Sequence, residues 1–166
     1  MTTSRTTRWF WLSAAIVVAD RASKLAIESY TTESFRHTLI DRVAYLVHSR
    51  NPGIAFGLLA DSHSRWLAGL LVLSSLAVIT LLMWLLAADR AGGRLACVGL
   101  ALILGGAIGN LIDRLLHGSV VDFLEVWLGS YRWPAFNVAD SAISIGAALV
   151  VLELLLGRRQ PTEEKA

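Results

Sequence analysis

The sequence predicts an all-α membrane protein, a bundle of four transmembrane helices forming one domain of residues 1–166. Of its residues, 55% are hydrophobic and 17% are charged, and the mean hydropathy is +0.57. Because a soluble domain carries about 25% charged residues, this chain has too little polar surface to cover a globule in water. A helix needs about 20 apolar residues to cross the hydrocarbon core. Four stretches are predicted to do so: 9–27, 66–88, 95–116 and 138–156.

The first stretch is the least regular of the four, because Asp20, Arg21 and Lys24 occupy its last turns. It also resembles a secretory signal peptide, with basic residues before an apolar run that ends in small residues at Ala19. From this segment alone both interpretations stay open. The mass of the intact purified protein distinguishes them.

Basic residues predict the direction of the spans. They crowd the tails and the short loop on the side that holds both termini, whereas those on the opposite side are spread over the longer loops 28–65 and 117–137. Since basic residues favour the cytoplasmic side, the termini are predicted to be cytoplasmic. Strand-like pieces at 37–48 and 119–127 then lie in the outer loops. Three aromatic residues are predicted to be membrane-interface anchors: Trp127, Tyr131 and Trp133.

Several classes of function are disfavoured. A formal net charge of +2, without a basic stripe carrying interleaved aromatics, does not indicate nucleic-acid binding. The single cysteine, Cys97, excludes an internal disulfide. There is no H-E-x-x-H motif and no G-x-S-x-G motif, and the four histidines lack metal-ligand spacing. No metal site is therefore expected.

Polar residues converge on one layer of the predicted bundle. A charge at the bilayer centre costs about 2.5–3.5 kcal/mol on insertion scales, so ionisable groups in spans usually carry function. With cytoplasmic termini, all of them except Glu153 lie at the outer helix ends or in the adjoining loops. The layer comprises Asp20, Lys24, Asn51, Asn110, Asp113, Arg114, Asp122, Asn137 and Asp140.

Four of these charges are predicted to neutralise one another and stabilise the bundle. Asp20 and Lys24 are four residues apart and share a helix face, in the favourable order. Asp113 has Arg114 as its local partner. Two glycines four residues apart, Gly105 and Gly109, allow a neighbouring helix to approach closely.

Asp122 and Asp140 have no basic residue at helical pairing distance, which makes them the candidate catalytic pair. Strand alternation directs Asp122 away from Val121 and Phe123. Asp140 is also the third residue after Asn137, a favourable N-cap, so the start of a helix alone would explain it.

A facing pair of carboxylates has specific chemistry. About 4 Å apart at an effective dielectric near 20, they repel by roughly 4 kcal/mol, or about three pKa units. They would share one proton at neutral pH, as in an aspartyl peptidase. Asp140, near the positive end of its helix, is expected to keep the charge.

Two other functions predict different patterns of polar residues. A proton or ion pathway predicts polar residues through the whole depth of the bundle, yet the inner halves of the spans are apolar apart from Glu153. A non-enzymatic bundle with a polar layer, such as a transporter subunit or an assembly factor, stays the alternative to the peptidase.

Five motifs in order resemble those of the lipoprotein signal peptidase (signal peptidase II) family. Segment 20–24, DRASK, resembles D-x-x-[ST]-K, and 51–57, NPGIAFG, resembles N-x-G-A-A-F. Segment 105–114, GGAIGNLIDR, resembles G-G-x-x-G-N-x-x-D-R. Segments 120–123, VVDF, and 136–140, FNVAD, resemble V-x-D-F and F-N-x-A-D. Arg21 and Ile54 depart from the family, where Gln and Ala are common.

The resemblance implies an aspartic endopeptidase that removes the signal peptide from diacylglyceryl-modified prolipoproteins, cutting before the lipidated cysteine. It implies Asp122 and Asp140 as the catalytic dyad, no cofactor, an uncleaved first span, and a small outer β-cradle with a short interfacial helix. We expect a monomer in contact with membrane lipid in the bacterial inner membrane, its site toward the outer face. Residues implied to support the dyad or bind substrate are Asp20, Lys24, Asn51, Gly53, Asn110, Asp113, Arg114, Asn137 and Ala139.

Overall fold

A computed structural model describes residues 3–52 and 65–157 of the chain. Within these residues there are four helices and four strands. The helices are α1 (Thr3–Tyr30), α2 (Arg65–Ala87), α3 (Arg94–His117) and α4 (Val138–Gly157). The strands are β1 (Arg36–Ile40), β2 (Ala44–Asn51), β3 (Val120–Leu128) and β4 (Tyr131–Phe136).

Three helices are long and apolar enough to cross a membrane: Ala68–Ala87 within α2, the whole of α3, and the whole of α4. Their bounds agree with the predicted spans at 66–88, 95–116 and 138–156 to within one or two residues. Helix α1 contains the predicted stretch 9–27 and has 28 residues. It does not belong to this apolar set, because its last turns carry the charges noted in the sequence.

Helix α3 is the centre of the bundle and packs against α1, α2 and α4. Small residues bring the neighbouring backbones close. A Cβ atom added at Gly105 would lie 2.7 Å from the carbonyl oxygen of Ser13 in α1. One added at Gly99 would lie 2.5 Å from that of Gly146 in α4. The predicted close approach at Gly105 and Gly109 is confirmed, since a Cβ atom added at either glycine would meet α1, and α4 packs against the neighbouring face of α3.

The strands form one antiparallel sheet in the order β1-β2-β3-β4. The strand predicted at 119–127 is confirmed as β3. The piece predicted at 37–48 is two strands joined by a turn at 41–43, and β4 was not predicted. The architecture is therefore mostly helical with a small sheet. The short interfacial helix cannot be located among the described residues, where no fifth helix occurs, and 53–64 lie outside them.

The sheet is fixed to the end of the bundle at which α1 and α3 finish and α4 begins. Gly118, at φ 70°, ends α3 in the left-handed conformation, and its N–H donates to the carbonyl oxygen of Arg114. The chain therefore turns directly into β3. Val121 and Phe123 of that strand are buried with Ile27, near the end of α1. This cluster positions the polar residues of β3 over the ends of α1, α3 and α4.

Candidate active site

The predicted polar layer is a continuous network at the junction of helices and sheet. Lys24 of α1 is its centre and is completely buried. Its Nζ lies 2.7 Å from Oδ2 of Asp20 and 2.9 Å from Oδ2 of Asp113. A buried ammonium is tolerated only when its charge is compensated in this way. The prediction that these charges neutralise one another is confirmed for these three residues.

The partner predicted for Asp113 was wrong. Asp113 forms an ion pair with Arg21 of α1 as well as with Lys24, and no ion pair joins it to Arg114 among the described residues. Adjacent residues on a helix do not face each other, so Arg114 points elsewhere, while Arg21 reaches Asp113 from the neighbouring helix. Arg21, which departs from the family pattern, is thus part of a balanced cluster of two acids and two bases.

The same acids also hold backbone groups. Oδ1 of Asp20 accepts a hydrogen bond of 2.9 Å from the backbone N–H of Ala139, at the start of α4. Oδ2 of Asp113 accepts one of 3.3 Å from the backbone N–H of Val121 in β3. Since the first N–H groups of a helix have no partner within it, Asp20 fixes where α4 begins. The cluster thereby sets the positions of the two elements that carry Asp122 and Asp140.

Two asparagines connect this cluster to the candidate pair. Oδ1 of Asn110 accepts from Nζ of Lys24 at 3.0 Å, and its Nδ2 donates to Oδ1 of Asp140 at 2.8 Å. Nδ2 of Asn137 lies 2.8 Å from Oδ1 of Asp122 and 3.2 Å from the carbonyl oxygen of Val121. The aspartates therefore receive hydrogen bonds from neutral amides.

Asn137 and Asp140 form the predicted capping arrangement. Oδ1 of Asn137 accepts from the backbone N–H of Asp140 at 2.9 Å, and Oδ2 of Asp140 accepts from the backbone N–H of Asn137 at 3.3 Å. This is the reciprocal pattern of a capping box. The cap uses only Oδ2, so it does not account for the bond from Asn110 to the other oxygen.

Asp122 is buried and faces Asn137 and Asn51. In addition to the bond from Asn137, its Oδ2 accepts one of 3.0 Å from Nδ2 of Asn51 at the end of β2. Burial raises the pKa of Asp122 to about 7, and the charge of Asp140 acts in the same direction against the hydrogen bonds from the two asparagines. Near neutral pH this carboxyl group thus holds a proton more readily than an ordinary aspartate does.

Arg114 lies beside the pair without an ion-pair contact to it. Its guanidinium donates to the carbonyl oxygen of Asn110 at 3.3 Å, and its Nε is buried with no hydrogen-bond partner among the described residues. Its charge interacts with those of Asp140, Asp113 and Asp122. The arginine supplies positive potential near both candidate aspartates.

An apolar groove reaches Asp140 from the side of the molecule. The cavity has a volume of about 390 Å³ and is lined by Trp133, Phe136, Asp140, Ser141, Ser144 and Ile145. It lies between β4 and the first turns of α4. The groove therefore connects the surface beside β4 and α4 with Asp140.

Of the residues singled out in the sequence, nearly all are assembled at this site: Asp20, Lys24, Asn51, Asn110, Asp113, Arg114, Asp122, Asn137, Ala139 and Asp140. Gly53 and Ile54 lie outside the described residues. Between residues 3–52 and 65–157, no group of three or more His, Cys, Asp or Glu side chains is arranged to hold a metal ion. Arg21 was missed as a member, because its ion pair with Asp113 depends on how α1 is rotated against α3.

Comparison with known proteins agrees with the motifs. The family model described as signal peptidase (SPase) II matches residues 12–156. The lipoprotein signal peptidase of Solibacter usitatus is 42% identical over 156 residues, covering 92% of this chain and 94% of the relative. That of Pasteurella multocida is 40% identical over 155 residues, covering 93% of each chain.

Solved structures share the fold as well. A bacterial membrane enzyme determined by the in meso method at 2.3 Å resolution superposes with a TM-score of 0.84 at 26% identity, covering 96% of this chain and 94% of its own. A second, at 1.9 Å, gives a TM-score of 0.78 at 28% identity, covering 90% and 93%. The chain is therefore a membrane protein and a protease, which disfavours the non-enzymatic bundle, and it belongs to the signal peptidase II family.

Proposed function

We propose that this chain is an aspartic endopeptidase that removes the signal peptide from diacylglyceryl-modified prolipoproteins, with Asp122 and Asp140 as its catalytic dyad. The observation that carries the proposal is that two carboxyl groups from different elements share one asparagine. Asn137 donates its side-chain amide to Asp122 and its backbone N–H to Asp140. The pKa of Asp122, about 7, supports a pair that holds one proton between them.

The hydrolysis assigns a different task to each carboxyl group. Asp140, at the first turn of α4 where the helix dipole favours a negative charge, takes a proton from a water molecule as it attacks the scissile carbonyl carbon. Asp122, protonated, gives its proton to the carbonyl oxygen. The tetrahedral diol then collapses when Asp122 takes back a proton and Asp140 passes its own to the leaving amine, which restores the starting state.

The position of the site suits a lipid-modified substrate. Trp133, Phe136 and Ile145 make most of the surface of the groove beside α4 apolar, so an acylated chain would reach Asp140 along it without leaving the membrane. We propose the bacterial inner membrane as the location, with cytoplasmic termini and the dyad toward the outer face. The chain is proposed to act as a monomer in contact with lipid.

We also propose that α1 is the fourth span and is retained. Ser13, which precedes the potential cleavage point at Ala19, is buried and donates to the carbonyl oxygen of Ala101 in α3 at 2.8 Å. Loss of residues 1–19 would expose this face of α3. The mass of the intact purified protein should therefore include these residues, and a mass short by them would refute the assignment.

Substitution of the dyad tests the reaction. Asp122→Asn and Asp140→Asn should each reduce cleavage of a purified diacylglyceryl-modified precursor by about 10²–10⁴-fold, the usual contribution of a general acid or base. An unmodified precursor serves as the substrate control, and Ser144→Ala, which alters the groove and leaves the dyad intact, serves as the protein control. Near-normal turnover in either asparagine variant would refute the dyad.

A further inference from the structure

The two hairpin turns of the sheet expose an apolar patch away from the active site. Five residues form this hairpin-tip patch: Leu39, Ile40, Val43, Leu128 and Tyr131, each 44–63% exposed. The turns are neighbours, since the backbone N–H of Trp127 donates to the carbonyl oxygen of Val43 at 2.8 Å. Exposed apolar patches of this kind mark surfaces that contact a membrane or a partner.

Beside the patch lies a buried carboxylate with two arginines. Oε1 of Glu125 is 2.7 Å from the guanidinium of Arg36, and Oε2 is 2.7 Å from that of Arg132. Trp127 donates its indole N–H to Oε1 at 2.8 Å. Burial alone would raise the pKa of Glu125, but the bond from Trp127 and the charges of Arg132 and Arg36 hold it below its ordinary value. One ionised acid therefore leaves one of the two arginine charges uncompensated.

A cavity of about 390 Å³ opens at this place, lined by Arg36, Arg42, Tyr45, Trp127 and Gly129. The guanidinium of Arg36 stacks 3.9 Å from the centre of the Tyr45 ring, and its Nη1 contacts Glu125. Arg42 adds a second guanidinium from the β1–β2 turn, and its Nε lies 3.7 Å from Oδ2 of the exposed Asp41. Because an exposed pair at this distance is weak, the Arg42 guanidinium stays available to another anion. Its φ of 59° is in the left-handed region, where a glycine or asparagine would fit better. Two planar guanidinium groups over aromatic walls fit a phosphodiester.

The cavity shares a face of the sheet with the contacts that join the sheet to the helices. Phe123, Glu125 and Trp127 alternate along β3 and so point the same way, and Tyr45 is the register partner of Glu125. Phe123 packs with Ile27 near the end of α1. This face rests on the helix ends near the active site. With the helices crossing the membrane as proposed above, its continuation toward the turns would lie against the membrane surface.

We propose that the cavity between Arg36 and Arg42 binds the phosphodiester headgroup of an anionic phospholipid, while the hairpin-tip patch enters the interface beside it. The contact holds the sheet flat on the outer leaflet. An ion-pair cluster that served only to join β1, β3 and β4 would account for Arg36, Glu125 and Arg132. It would need neither the exposed arginine at position 42 nor the apolar patch.

Native mass spectrometry of the full chain in detergent tests the proposal without reference to peptidase activity. The protein is titrated with dioleoyl phosphatidylglycerol, with dioleoyl phosphatidylcholine, and with inorganic phosphate. We expect retention of phosphatidylglycerol at lower concentration than phosphatidylcholine. The charge reversal Arg42→Glu should weaken retention of phosphatidylglycerol by at least roughly fivefold, the contribution of one basic residue near an anionic surface.

Arg90→Glu is the matched control, because Arg90 is an exposed arginine that does not line this cavity. The proposal would be overturned if Arg42→Glu retained phosphatidylglycerol as well as the unaltered chain does. It would also be overturned if Arg90→Glu lost as much phosphatidylglycerol retention as Arg42→Glu. Displacement of the lipid by millimolar inorganic phosphate would show a site for free anions instead. Repeating the titration on Asp122→Asn separates the outcome from the peptidase assignment, since lipid retention should be unchanged there.

Discussion

Replacement of Lys24 by methionine tests whether the buried charges hold the site together or take part in the reaction. Lys24 is 0% exposed and contacts Asp20, Asp113 and Asn110 within 3.0 Å. Methionine has similar length, so the change removes the charge and leaves little cavity. Two buried carboxylates would then face only one cation, Arg21. Removing one partner of a buried ion pair costs about 3–5 kcal/mol.

At about 2–4 °C per kcal/mol for a chain of this size, Lys24→Met should lower the midpoint of thermal unfolding by about 6–20 °C. The chain provides its own reporter for this measurement. Cys97 is its one cysteine and is buried in α3, so a thiol-reactive dye in detergent reports unfolding directly. The fraction that stays folded at low temperature should keep measurable turnover.

The double variant Asp20→Asn/Lys24→Met is the sharper comparison. Asparagine keeps the acceptor for the backbone N–H of Ala139 while it removes one negative charge. Asp113 and Arg21 then balance each other, and most of the lost stability should return. An unchanged midpoint for Lys24→Met, or a double variant no better than the single, would refute the electrostatic reasoning. A stable Lys24→Met protein without turnover would instead make Lys24 part of the chemistry.

Three further results are expected. Gly109→Ala should destabilise the protein by about 1–3 kcal/mol and slow cleavage, because its Cβ would lie 2.5 Å from Oδ2 of Asp20. Gly69→Ala, whose Cβ meets nothing within 4 Å, is the control. Equal midpoints of thermal unfolding for the two variants would contradict the packing argument. Turnover should fall as pH rises through about 7, since the reaction needs protonated Asp122 and its pKa is raised to that value; a flat profile to pH 9 would exclude this role. Asn51→Ala removes a hydrogen bond that lowers the pKa of Asp122. The alkaline limb of the pH–kcat profile should therefore move to higher pH. A shift to lower pH would contradict the assignment of Asp122 as the protonated acid.

Much of the helical part was predictable because its signals are local. A run of about 20 apolar residues is bounded by its own composition, and the cap formed by Asn137 and Asp140 needs only a spacing of three residues. The layer of polar residues followed from these bounds, because the bounds place the charged residues of each span at one end of that span. The predicted direction of Asp122 relative to Val121 and Phe123 follows from strand alternation alone, and the contacts of Asp122 with Asn51 and Asn137 agree with it.

Features that depend on contact between distant elements were beyond the sequence. The choice of Arg21 over Arg114 as partner of Asp113 is decided by how α1 is rotated against α3. The split of the first strand-like piece depends on the turn at 41–43, whose φ of 59° falls on Arg42, a residue that does not signal such a turn. Strand β4 contains Pro134, which argues against a strand in the interior of a sheet and is tolerated here on an edge.

The separation of the two polar systems explains how the proposed dyad would keep one proton next to three buried charges and the partly buried Arg21. A single side chain, that of Asn110, separates Lys24 from Asp140 in space, since Asn110 contacts both. Direct contact with the ammonium would favour two ionised carboxylates and leave no proton for the carbonyl oxygen. The Asn110 amide between Lys24 and Asp140 orients the carboxylate of Asp140 and carries no formal charge. In the same way Asn51 and Asn137 orient Asp122 without neutralising it, and the charged cluster is left to position the backbones of β3 and α4.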